Sequence, residues 1–81
     1  MKILIVEDDP TSTLILERSL RKAGYETLSA SDGVEALEIL KGQPCDAIVS
    51  DWMMPRMDGI ELIHRIRAVI QPMPVFLIVT S

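Results

Sequence analysis

The chain has 81 residues, 48 % apolar and 25 % charged, with a formal net charge of −4. That length gives at most one domain burying roughly 60–65 % of its unfolded surface, and that composition excludes a disordered chain. The acidic balance and the lack of a Lys/Arg run exclude a nucleic-acid surface, no apolar run approaches the ~20 residues of a membrane span, and the single Cys45 excludes an internal disulfide or a paired-cysteine zinc site.

The first strand is expected over residues 2–7, where Ile3-Leu4-Ile5-Val6 suggests burial on both faces, as in a central parallel strand. Glu7 reads as a solvated flank pointing away from any site. Asp9 before Pro10 is a helix start, an N-cap followed by proline at the first helical position. That helix runs to about Lys22, with Thr13, Leu16, Leu20 and Ala23 on one face and Leu14 and Ile15 on its flank. Gly24 ends it. Tyr25 to Ala30 reads as a second, edge strand. Ser31-Asp32-Gly33 opens a short helix, Val34 to Lys41, with Val34, Leu37 and Leu40 inward, and Gly42-Gln43-Pro44 breaks it.

A third strand is expected over Asp46 to Ser50. Asp51 follows it and opens a loop that closes on Asp58-Gly59. The third helix, about Ile60 to Ile70, turns Leu62, Ile63, Ile66 and Ile70 inward and Glu61, His64, Arg65 and Arg67 to water. Val75–Val79 is the fourth strand and runs into Thr80-Ser81. The βαβαβαβ alternation predicts an α/β domain, residues 1–81, with a doubly wound parallel sheet and right-handed crossovers. The opening Met1–Asp8 is too short and too soon acidic for a signal peptide, and a reducing cytoplasm is the simplest compartment.

In such sheets function collects at the carboxyl ends of the strands. Asp8, Asp9, Asp51 and Thr80 stand there, from three strands. Two carboxylates ~4 Å apart repel by roughly 4 kcal/mol at an effective dielectric near 20, so the cluster calls for a cation. Hard oxygen donors suit Mg²⁺, which binds through one or two carboxylates and keeps several waters. Such an ion can orient a phosphoryl group toward a carboxylate nucleophile.

These residues resemble the receiver domain of bacterial two-component response regulators, of the chemotaxis-regulator type. The resemblance rests on Ile3–Asp9, on Asp51 followed by Met54-Pro55 and Met57-Asp58-Gly59, and on Val79-Thr80-Ser81, and it covers the whole chain in order. It implies a flavodoxin-like fold with strand order 2-1-3-4 and Asp51 as phosphoacceptor. It also implies Asp9 as a direct Mg²⁺ ligand, Asp8 acting through water, the main-chain carbonyl of Met53 as a further ligand, and Thr80 as the switch hydroxyl. The implied donor is a histidine kinase or a histidine phosphotransfer domain, with small acyl phosphates as substitutes. The resemblance implies a phosphoacceptor and not a turnover enzyme.

The chain departs from the family pattern in lacking the final helix-strand-helix, which brings a lysine to the phosphoryl group. Lys2, Lys22 and Lys41 do not stand at a strand's carboxyl end. If the chain ends at Ser81, the apolar Val75–Val79 edge predicts self-association, two copies pairing edge to edge. A competing reading is therefore a receiver-derived assembly module without phosphotransfer. A third, a Mg²⁺-dependent phosphatase, needs a general acid two residues past the nucleophile, where Met53 stands. Asp8 and Asp9 have a bland alternative as a helix cap and its neighbour, and Cys45 reads as a small buried apolar residue.

Overall fold

The computed structural model describes residues 1–51, 59–70 and 74–79, with Asp51, Gly59 and Val75–Val79 described as backbone only. Seven elements follow in order: β1 (Lys2–Val6), α1 (Pro10–Lys22), β2 (Glu26–Ala30), α2 (Gly33–Gly42), β3 (Ala47–Asp51), α3 (Gly59–Val69) and β4 (Val75–Val79). The four strands form one parallel sheet, as the alternation predicts, in the order β2-β1-β3-β4 that the family resemblance implies. The third strand begins at Ala47 and not Asp46. The Asp46 carboxylate instead accepts a hydrogen bond from the backbone N–H of Lys2 at 2.8 Å, tying the starts of β1 and β3 together.

β1 pairs on both sides, and Ile3, Leu4, Ile5 and Val6 are all buried, which is what a run of four aliphatics demands. Strand alternation sends Leu4 and Val6 to one face of the sheet and Ile3 and Ile5 to the other. On the first face, Leu4, Val6, Ala30 and Ile48 pack with Ala36 and Leu40 of α2 and Leu62 and Ile66 of α3 in a single core. Gly33, Ala36 and Leu40 of α2 are buried, and Val34 and Leu37, partly buried, pack against the same core as expected.

α1 packs against β1 and β2 but has no buried residue. Leu14 and Ile15 are 47 % and 60 % exposed. α1 closes with two bonds: Gly24 N–H donates to the Arg21 carbonyl at 3.0 Å and Tyr25 N–H to the Leu20 carbonyl at 3.1 Å. This is the Schellman arrangement, and it requires the φ of +97° that Gly24 adopts.

Candidate functional site

The register between β1 and β3 sets the site. Leu4 lies beside Ile48, Ile5 beside Val49 and Val6 beside Ser50. One residue further along both chains stand Glu7 and Asp51, the latter still within β3 and level with Val79 of β4. The carboxyl ends of β1, β3 and β4 therefore lie side by side, with acidic residues following two of them.

Glu7 is half-buried and not the solvated flank expected of it. Its N–H extends the ladder to β2, donating to the Ala30 carbonyl at 3.0 Å, and its Oε1 accepts from the Asp9 N–H at 3.1 Å. Asp8 is exposed, and among the described residues no hydrogen bond is recorded for its carboxylate. Glu7 and Asp8 share a cleft of about 330 Å³ with Thr13 and Glu17 of α1 and with Ser31 and Glu35 beyond β2.

Asp9 does a different job. It is the N-cap of α1, in extended backbone at φ −90° and ψ 115°. Its Oδ1 accepts from the Thr11 N–H at 3.2 Å and its Oδ2 from the Ser12 hydroxyl at 2.9 Å. Its carbonyl takes both the N–H and the hydroxyl of Thr13, at 3.0 and 3.1 Å. The Asp-Pro signature thus gave the cap correctly, and Glu7 and Asp8 lie between the end of β1 and that cap. The observed register, continued one residue past Val6 and Ser50, brings Glu7 level with Asp51.

Met53 and Thr80 lie outside the described residues, as does the side chain of Asp51. Among the described residues no three His, Cys, Asp or Glu side chains form a metal-holding group. Glu7 and Asp8 offer hard carboxylate oxygens, the donor chemistry that Mg²⁺ takes. The thiol whose protonation is perturbed sits at the opposite rim: burial pushes Cys45 above its ordinary pKa, and nearby Lys2 pulls it partly back. No helix among the described residues is long and apolar enough to cross a membrane.

The chain is similar to known proteins in sequence and in fold. The family model of the response regulator receiver domain matches residues 3–81. The response regulator MprA of Mycobacterium avium is 41 % identical over 78 residues, which is 96 % of this chain and 34 % of that protein. The receiver domain of the Francisella response regulator 1452 superposes with a TM-score of 0.89 at 34 % identity, covering 99 % of this chain and 65 % of that one. The response regulator TrrA of Thermotoga maritima, solved in complex with Mg²⁺-BeF, superposes at 0.90 with 30 % identity over 98 % of this chain and 68 % of its own. The chain spans about a third of the length of the curated relatives it matches. On the matching family model and these likenesses, the chain belongs to the response regulator receiver domain family.

Proposed function

We propose that this chain accepts a phosphoryl group on Asp51 from a histidine kinase or a histidine phosphotransfer domain in a cytoplasmic two-component pathway. The observation that carries this reading is the β1–β3 register, which sets the acidic end of β1 beside Asp51. In the step itself a carboxylate oxygen of Asp51 attacks phosphorus, the P–N bond of the donor phosphohistidine breaks, and the imidazole leaves and takes up a proton from solvent. The product is an acyl phosphate on the aspartate. The domain turns over no external substrate; its chemistry is limited to acquiring and losing this group.

Asp8 and Asp51, with Glu7 beside them, would hold Mg²⁺, joined by the main-chain carbonyl of Met53. The bound ion would supply positive charge to the phosphoryl oxygens and orient them in line. Thr80, one residue past β4, would offer its hydroxyl to the phosphoryl group as the switch residue. The net charge of −4 gives no support to nucleic-acid contact by this domain, nor is a membrane partner proposed.

Trp52 is the only tryptophan and adjoins Asp51 in sequence. Its emission should change with Mg²⁺ and again with acetyl phosphate or beryllium fluoride. Asp51→Asn should abolish the second response. An Asp51→Asn variant indistinguishable from the parent in both titrations would end the proposal.

A second reading rests on β4 standing at the edge of the described sheet. A polypeptide of these 81 residues would pair through that edge with a second copy, as an assembly module that holds a metal without phosphotransfer. Sedimentation at two concentrations tests it. A Mg²⁺ response without an acetyl phosphate response, together with dimers, would favour this reading over the first.

A further inference from the structure

We infer that the Asp32–Gly33 bond is a guarded site of spontaneous isoaspartate formation, held off in the folded chain by the hydrogen bonds that start α2. The reaction needs no reagent but water. The main-chain nitrogen of Gly33 attacks Cγ of Asp32, an N–C bond forms, and the nitrogen's proton leaves with one carboxyl oxygen as water. The five-membered imide then takes up water. Opening at the side-chain carbonyl returns aspartate; opening at the main-chain carbonyl leaves the chain running through Cγ. Glycine at 33 puts no side chain in the way of its own nitrogen. Ring closure requires the Asp32 side chain to turn toward that nitrogen, and the nitrogen to turn toward Cβ. Both rotations are blocked. Oδ1 is held by the Glu35 N–H at 2.9 Å, and the Asp32 carbonyl by the Ala36 N–H at 3.0 Å. With ψ at 176° the Gly33 nitrogen and Cβ stay staggered about the Cα–C bond, whereas the ring needs them eclipsed. Asp32 and Gly33 are also buried, which keeps hydrolytic water away. The modification therefore waits for the β2–α2 junction to open. Refolding does not undo it: the main chain between β2 and α2 is then longer by one carbon, and the carboxyl that capped α2 has become part of it.

The test keeps the whole chain at mildly acid pH for weeks, folded in buffer and unfolded in guanidinium chloride. Isoaspartate is followed in the tryptic fragment 23–41 by electron-transfer fragmentation. Asp32 is the only aspartate of that fragment, so the other Asp-Gly pair of the sequence, Asp58-Gly59, is read separately. Isoaspartate should build up at residue 32 in the unfolded chain, and at least about tenfold more slowly in the folded one, where the junction must open first. Glu35→Pro removes the N–H that holds Oδ1, at a first-turn position where proline is tolerated. It should speed the folded-state reaction by about fivefold, the scale of one lost cap. Glu35→Ala keeps that N–H, loses only the side-chain bond with the Ser31 hydroxyl, and should match the parent. Circular dichroism checks that each variant is folded at the incubation temperature. If Glu35→Pro does not fold, the two rates of the parent decide alone. Equal rates in the folded and unfolded parent would overturn the inference. So would a folded Glu35→Pro that reacts no faster than the parent, or a Glu35→Ala that reacts as fast as Glu35→Pro. An unfolded chain without isoaspartate at residue 32 would remove the site altogether.

Discussion

Leu62→Ala and Leu14→Ala are the same chemical change made on two helices, with the same small gain in helix propensity. They differ in what the side chain touches. Leu62 is fully buried on α3 in the core with Leu4, Val6 and Ile48, whereas Leu14 on α1 is 47 % exposed. Truncating Leu62 removes apolar contact and leaves a cavity, a loss of about 3 kcal/mol. Truncating Leu14 forfeits roughly half of a leucine's burial and leaves no enclosed void, a loss of about 1 kcal/mol. An 81-residue chain at about 0.05–0.15 kcal/mol per residue has roughly 4–12 kcal/mol in hand, so the first change takes a large share and the second a small one. Urea unfolding followed by far-UV circular dichroism measures both. Protein concentration must be held fixed, because association would add its own stabilisation. Equal losses, or a larger loss at Leu14, would refute the unequal covering of the two sheet faces and show that α1 is packed as tightly as α3.

Gly24→Ala should cost about 1 kcal/mol by the same assay. A Cβ there meets nothing within 4 Å, so the loss is wholly that of forcing a side chain into φ +97°. Asp32 caps α2, its Oδ1 accepting from the Glu35 N–H at 2.9 Å, and Asp32→Ala should lose about 1 kcal/mol that Asp32→Ser largely retains. Cys45, raised in pKa by burial, should react with iodoacetamide more slowly than a free thiol at neutral pH, and urea should restore the ordinary rate. The same shift favours the native state fully below the unfolded thiol's pKa, and that advantage is lost as pH rises through the raised native value.

Much of the fold was legible because its signals are local. Ile3–Val6 needed two covered faces and received them; Asp9-Pro10 and Gly24 marked the ends of α1 in residue types that few other conformations favour. On α2 the sequence turned Val34, Leu37 and Leu40 toward the core, where they are found, but gave no sign that Gly33 and Ala36 are buried with Leu40. Which residue touches a sheet depends on how near the helix axis lies, and that distance is set by partners far away in sequence. The acids that follow β1 depend on their partners in a related way. Three acids in a row look equivalent as letters, and only the hydrogen bonds of the first turn of α1 separate the cap from the pair that precedes it. Asp51 was singled out from its place after a buried strand, a context that survives without knowledge of its neighbours.

β1 is bonded to a strand on either side and shut off from water along Ile3–Val6. Amide hydrogens there should exchange with solvent only when the whole molecule opens, later than those of α1. Glu7 and Asp8 leave the sheet from that slowest-exchanging backbone. The backbone that carries them is therefore set during folding, and if the proposed ion binds there it would meet little chain entropy on this side.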